Sequence, residues 1–157
     1  KLNDSTKIFL CSTHVQALGS SWVKNKQLRQ IKRFIAQAVY QFLKSGIVDK
    51  PENLIVMLAG DFNSDAYTER RMEILQTLLG NPRDLHAEYK PEGKEFTFHL
   101  RMFGRDMRFD YIFAYDSLDS VPLKKVLVNS INATDIEDIN KDKLSDHSAL
   151  KAVVELE

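Results

Sequence analysis

The sequence holds a single cysteine, Cys11, which excludes an internal disulfide and a thiolate-rich zinc site. Set in the apolar stretch KIFLCSTHV, Cys11 reads as a small buried hydrophobe. No run of about 20 apolar residues is present, so no transmembrane helix is expected. Four prolines and six glycines are scattered, with no linker, no low-complexity tract and no internal repeat. Between Tyr115 and Ser145 there is no aromatic residue, which excludes a long aromatic-tipped hairpin there. Formal net charge is zero but unevenly placed, since residues 1–50 hold nine Lys/Arg against two Asp/Glu. A basic first third suits phosphate-rich partners, although a solvated helix face is the simpler reading.

What is there describes about one domain. The chain has 157 residues, 43% hydrophobic and 28% charged, ordinary for a globular protein. Lys7 to Val15 reads as a strand ending near His14. Ser20 or Ser21 can cap a long helix in which Trp22, Leu28, Ile31, Ile35, Val39 and Phe42 recur at helical spacing. Lys24, Lys26, Arg29, Lys32 and Arg33 form its polar face, and Gly46 is a plausible stop. A second helix is expected over about Thr68 to Leu79, followed by a short connection through Tyr89. Strands are expected over Glu95 to Leu100, Met107 to Tyr115, Leu123 to Val128 and Ser148 to Leu156. Thr134 to Lys143 reads as a charged surface loop. This order suggests an α/β sheet with mixed or antiparallel pairing.

The organising stretch is Asn53 to Asp65, NLIVMLAGDFNSD. Leu54 to Ala59 is an apolar run bounded by turn residues, hence a buried strand. Gly60 lets the chain turn as it leaves the sheet. Asp61 and Asn63 lie two apart and share a side if the backbone stays extended, with Phe62 pointing into the core. The plain alternative is an Asp-Asn turn closing a strand. Three further pieces sit at predicted strand ends: Thr13-His14-Val15-Gln16, Arg108-Phe109-Asp110-Tyr111-Ile112-Phe113 and Ser145-Asp146-His147. His86 and His99 fall in none of them, and His99 reads as lying on a solvated strand face.

In that chain order TH, GDFN, FDYIF and SDH resemble the endonuclease/exonuclease/phosphatase superfamily, whose fold is that of deoxyribonuclease I. The resemblance runs from Thr13 to His147. It implies an α/β chain forming the second half of a four-layer α/β/β/α sandwich with a mixed, largely antiparallel sheet. The family's first half supplies a strand-end Asn and a metal-binding Glu, for which no counterpart is found. Residues 1–157 are therefore expected to be the C-terminal half of such a domain, incomplete as an enzyme alone. One sheet face is expected to be covered by the missing half or by a second chain.

The resemblance also implies roles. His147 would be the general base and Asp110 the carboxylate that orients it. Asp61 would position the attacking water or the leaving group, Asn63 would donate to a phosphate oxygen, and His14 would stabilise the crowded phosphate. Asp146 would serve a Mg²⁺ ion or another hard divalent cation. Such chemistry suits these residue types, because His titrates near neutrality and hard cations take oxygen ligands. The implied activity is metal-dependent phosphodiester hydrolysis. The element from Thr13 to Ala17 is similar to that of neutral and bacterial sphingomyelinases. A phospholipid is accordingly favoured over nucleic acid, with phosphocholine released and peripheral membrane contact possible through the Met102-Phe103-Gly104 turn. The alternatives are a nuclease, a deadenylase-like enzyme or an inositol-phosphate phosphatase. For these, Lys24, Lys26, Arg29, Arg101, Arg105 and Arg108 are the candidate cations beside the site.

Overall fold

A computed structural model describes residues 5–100 and 105–157. The first sheet is built around β2 (Leu54–Asp61), and its apolar run is explained by burial on both sides. Leu54, Val56 and Leu58 face a core that includes Leu28, Ile35 and Val39 of α1 (Ser21–Lys44) and Leu75 and Leu79 of α2 (Glu69–Leu79). Ile55 and Met57 face a second core with Val126, Val128, Ile131, Ala152, Val154 and Leu156. The latter belong to β9 (Val126–Glu137) and β10 (Lys143–Leu156). Helices thus cover one face of the sheet and a β-ribbon part of the other. Each fully buried Leu, Val or Phe contributes roughly 1.5–3 kcal/mol of transfer free energy.

The remaining elements are β1 (Lys7–His14), β3 (Arg83–Asp84), α3 (Leu85–Tyr89), β4 (Phe98–Leu100), β5 (Arg105–Met107), β6 (Asp110–Tyr115), β7 (Ser117–Leu118) and β8 (Val121–Pro122). The first sheet has the order β1-β2-β6-β3, parallel between β1 and β2 and antiparallel elsewhere. A second sheet, β5-β4-β10-β9, is antiparallel throughout. The fold is therefore α/β with mixed and antiparallel sheets. At the edge strand β1, alternation sends Phe9 and Cys11 under the helices and leaves Ile8 and Leu10 exposed, at 51% and 61%. Partial burial pushes the Cys11 thiol up.

Several boundaries differ from the sequence reading. The stretch Thr134 to Lys143 is not mainly a loop, because β9 continues to Glu137 and β10 begins at Lys143. These strand ends lie in a ribbon exposed on much of its surface, so no apolar alternation marks them. The returning strand breaks at Arg108-Phe109, dividing it into β5 and β6. The connection after α2 contains α3, whose N-terminus is capped by the Asp84 carboxylate accepting from the backbone N–H groups of His86 and Ala87. Trp22 is 67% exposed rather than part of the buried stripe. Arg101 and the Met102-Phe103-Gly104 turn lie outside the described residues.

Gly60 lies inside β2, not beyond it. Its φ of +137° and its contact with β1 both require glycine, since a Cβ there would stand 1.9 Å from the Thr13 carbonyl oxygen. Gly60→Ala is expected to destabilise the protein by about 3 kcal/mol, measured by denaturant unfolding. A loss within experimental error would contradict the close β1–β2 approach.

Candidate active site

Three strands of the first sheet end level. His14 pairs in register with Asp61, and Asp61 with Asp110. Register partners point to the same face of a sheet, here the face shared with Ile55 and Met57. His147 comes from β10 of the second sheet, fixed by its pairing with Phe98 on β4 and by ring contact at 4.9 Å. Phe62 turns the opposite way and is fully buried against Tyr111 and Phe113.

The His147 Nδ1 lies 2.8 Å from Asp110 Oδ2. Its Nε2 lies 3.8 Å from Asp61 Oδ2, and His14 Nε2 lies 3.3 Å from the same oxygen. Asn63 closes the set through a turn rather than an extended backbone. Its φ is +48°, a left-handed conformation that asparagine tolerates. Its backbone N–H donates to Asp61 Oδ1 at 2.7 Å, and its amide donates to Asp61 Oδ2 at 3.0 Å and to the Val15 carbonyl at 2.8 Å. The structure therefore brings His14, Asp61, Asn63, Asp110 and His147 together. Asp146 stands next to His147 but is exposed, and its carboxylate forms no hydrogen bond or ion pair with another described residue.

Burial, with help from the Asp110 charge, holds the Asp61 carboxyl above the ordinary range, while the Asn63 N–H, His147 and His14 act against that. With the folded-state pKa above the unfolded one, the protonated form favours folding. That contribution is complete below the unfolded pKa and is lost as pH rises through the folded value. The stability of wild type relative to Asp61→Asn should therefore fall as pH is raised through the ordinary carboxylate range and just beyond. Denaturant unfolding at a series of pH values reads this, and a relative stability that climbs with pH would contradict the environment described.

Comparison with protein-family profiles finds no match, and comparison with curated proteins finds none either. Solved structures do match. Zebrafish (D. rerio) TDP2, complexed with a single-strand DNA product, superposes with a TM-score of 0.65 at 20% identity, over 97% of this chain and 58% of its own. Sphingomyelinase C from Streptomyces griseocarneus gives 0.54 at 18% identity, over 94% and 53%. A mutant beta toxin from Staphylococcus aureus with bound magnesium ions gives 0.53 at 18%, over 96% and 54%. The chain has the deoxyribonuclease I-like fold. It spans little more than half the length of these solved chains.

Within that fold, parts of the site's support could not be read from sequence. Thr97 is fully buried, and its hydroxyl accepts from the backbone N–H groups of Phe109 and Asp110, both at 3.1 Å. The Thr97 carbonyl accepts from Ser148 N–H, so one residue ties the Asp110 segment to the His147 segment. Lys24 does not point to solvent. Its Nζ donates to the Asn63 carbonyl at 2.6 Å.

Arg108 is not a surface cation either. It is 2% exposed and forms a bidentate pair with buried Asp84, at 3.1 and 2.5 Å, with its guanidinium over the Tyr111 ring. Lys26 lies over Trp22, and Arg105 lines a shallow cleft with Arg71. His86 is buried against Glu95 at 2.8 Å, and this burial lowers its pKa. His99 is half-buried, not fully solvated. Its Nδ1 lies 2.8 Å from Asp106 and its Nε2 3.5 Å from the Ser148 hydroxyl. That grouping is no nucleophilic triad, because Ser148 is buried and its hydroxyl donates to Asp135.

Among the described residues no group of three or more His, Cys, Asp or Glu side chains is gathered as a metal site. The donor chemistry nonetheless fits a hard cation. Asp146 offers a carboxylate without a partner among the described residues, and the half-buried Asp61 and Asp110 bring two further carboxylates to the site. Magnesium needs few protein ligands, since substrate phosphate and water complete its shell. No helix among the described residues is long and apolar enough to cross a membrane.

Proposed function

We propose that this chain carries the proton-transfer half of a magnesium-dependent phosphodiesterase. The observation behind this is the placement of His147, with Nδ1 on Asp110 at 2.8 Å and Nε2 turned toward Asp61 at 3.8 Å. An ionised Asp110 only accepts, so Nδ1 carries the proton and Nε2 is the free base. One water can lie about 2.8 Å from both Nε2 and Asp61 Oδ2. His147 then takes one proton from that water, while the remaining O–H donates a hydrogen bond to Asp61, which sets the direction of attack. His14, 72% exposed at the strand end, donates to a phosphoryl oxygen. Asn63 keeps Asp61 in place with two donors, and its amide reaches a phosphate oxygen only by leaving one of its present acceptors. Magnesium, held through Asp146, would neutralise charge on the phosphoryl oxygens.

The chain is further read as the second half of its domain. Its match to little more than half of each solved chain and the exposed Ile8–Leu10 face of β1 both support a companion segment there. For the substrate, the Thr13-to-Ala17 element supports a choline phospholipid. A nucleic-acid strand is supported by Lys24 and Arg71 beside Asn63. The test offers sphingomyelin and a single-stranded oligonucleotide to the full-length protein with magnesium, with His147→Ala in parallel. Phosphocholine release that His147→Ala abolishes would establish the lipid substrate. Nucleotide release with the same dependence would establish the nucleic-acid one. Cleavage of neither would overturn both substrate assignments.

A further inference from the structure

Beside Asn63, between the first turns of α1 and α2, lies a cleft of about 450 Å³. We propose that it is a subsite for a second phosphate of the substrate, the next one along a nucleic-acid strand, with Lys24 and Arg71 as its counter-charges. This rests on the hydrolytic reading and adds a substrate class to it. The cleft falls within the roughly 300–1,000 Å³ typical of small-molecule sites. Leu18, Ile74 and Phe109 form apolar walls, and no acidic side chain is among the described residues that line it. Lys24 is half-buried in these surroundings and Arg71 is exposed, so Lys24 is the less screened of the two.

Neither cation has an ion-pair partner in this cleft, and Arg71 also lines a second cleft that holds Asp65 and Asp106. Lys24 Nζ has a neutral partner, the Asn63 carbonyl, and Arg71 forms no ion pair with a described residue. Its bond to Asn63 places the Lys24 ammonium between the cleft and the catalytic turn, where burial and the nearby Arg71 lower its pKa while Asp61 opposes this. A phosphate entering the cleft supplies an anion and offers the planar Arg71 guanidinium two oxygens as a bidentate acceptor. Phe109, whose ring is stacked on Phe98, adds an aromatic residue to the lining. A quaternary ammonium headgroup would instead meet two like charges. The cleft joins the hydrolytic site through Asn63, which lines it and also holds Asp61.

Isothermal titration of the full-length protein with thymidine 3′,5′-bisphosphate, thymidine 5′-monophosphate and phosphocholine tests this directly. The bisphosphate should bind about tenfold more tightly than the monophosphate, the gain expected from one charge-assisted contact. The preference should vanish in Arg71→Gln and return in part in Arg71→Lys. Equal binding of the two nucleotides, a preference that survives Arg71→Gln, or tightest binding of phosphocholine would overturn the subsite. The readout is binding, so it is independent of whether His147 drives hydrolysis. Loss of the hydrolytic reading would show instead as unchanged turnover in His147→Ala.

Discussion

His147→Ala should lower phosphodiester hydrolysis by the full-length protein about 10³-fold, the range expected for removing a positioned general base. The fold should survive the change. The His147 side chain is 28% exposed and sits at the mouth of the inter-sheet layer, so its loss leaves no closed cavity. Asp110→Asn separates orientation from basicity. An asparagine can present its amide nitrogen as a donor to Nδ1, which selects the other tautomer and puts a proton on Nε2, where a lone pair is needed. A fall of about 10²-fold is expected, with an unfolding midpoint close to wild type. Steady-state kinetics alongside thermal unfolding separates the two effects. Full activity in either variant would show that the Asp110–His147 pair is architectural.

The largest stability effect should come from a pair that contacts no substrate. Asp84→Ala is expected to cost about 3–5 kcal/mol, because Arg108 would be left buried and charged without its partner. Both side chains are nearly inaccessible, at 3% and 2% exposure. Arg108 Nε already lacks a hydrogen-bond partner, so the guanidinium depends heavily on its two bonds to Asp84. Asp84 also caps α3, which adds about 1 kcal/mol to its loss. Replacing both residues at once, as Asp84→Leu with Arg108→Met, should recover much of the deficit, since an apolar pair avoids the desolvation penalty. A denaturant double-mutant cycle reads the coupling. An Asp84→Ala change below about 1 kcal/mol would mean that water reaches the guanidinium.

These two predictions mark where sequence reading succeeds and where it stops. The GDFN strand was legible because an apolar run has few alternatives, and burial of β2 on both faces is its physical cause. Level strand ends then carry His14, Asp61 and Asp110 to one place. Arg108 was misread because an arginine beside a motif suggests a phosphate contact, whereas its partner Asp84 lies 24 residues away in sequence. Lys24 belongs to a helical stripe that is mostly solvated, and only the tertiary position of Asn63 turns it inward. Thr97 gave no signal, because a threonine between two phenylalanines reads as the polar position of an alternating strand. The ribbon ends of β9 and β10 were hidden for a related reason, since exposed strands carry no hydrophobic period. α3 is too short to show one.

Chemical rescue of His147→Ala with imidazole, in full-length protein supplied with magnesium, tests the central claim most directly. Removing the ring opens a gap beside Phe98, between Asp110 and the expected water. If His147 takes the proton, hydrolysis by the variant should rise in proportion to added imidazole and follow the concentration of its free-base form as pH is varied. A variant that stays at background at every imidazole concentration, or one already as active as wild type without it, would contradict the account.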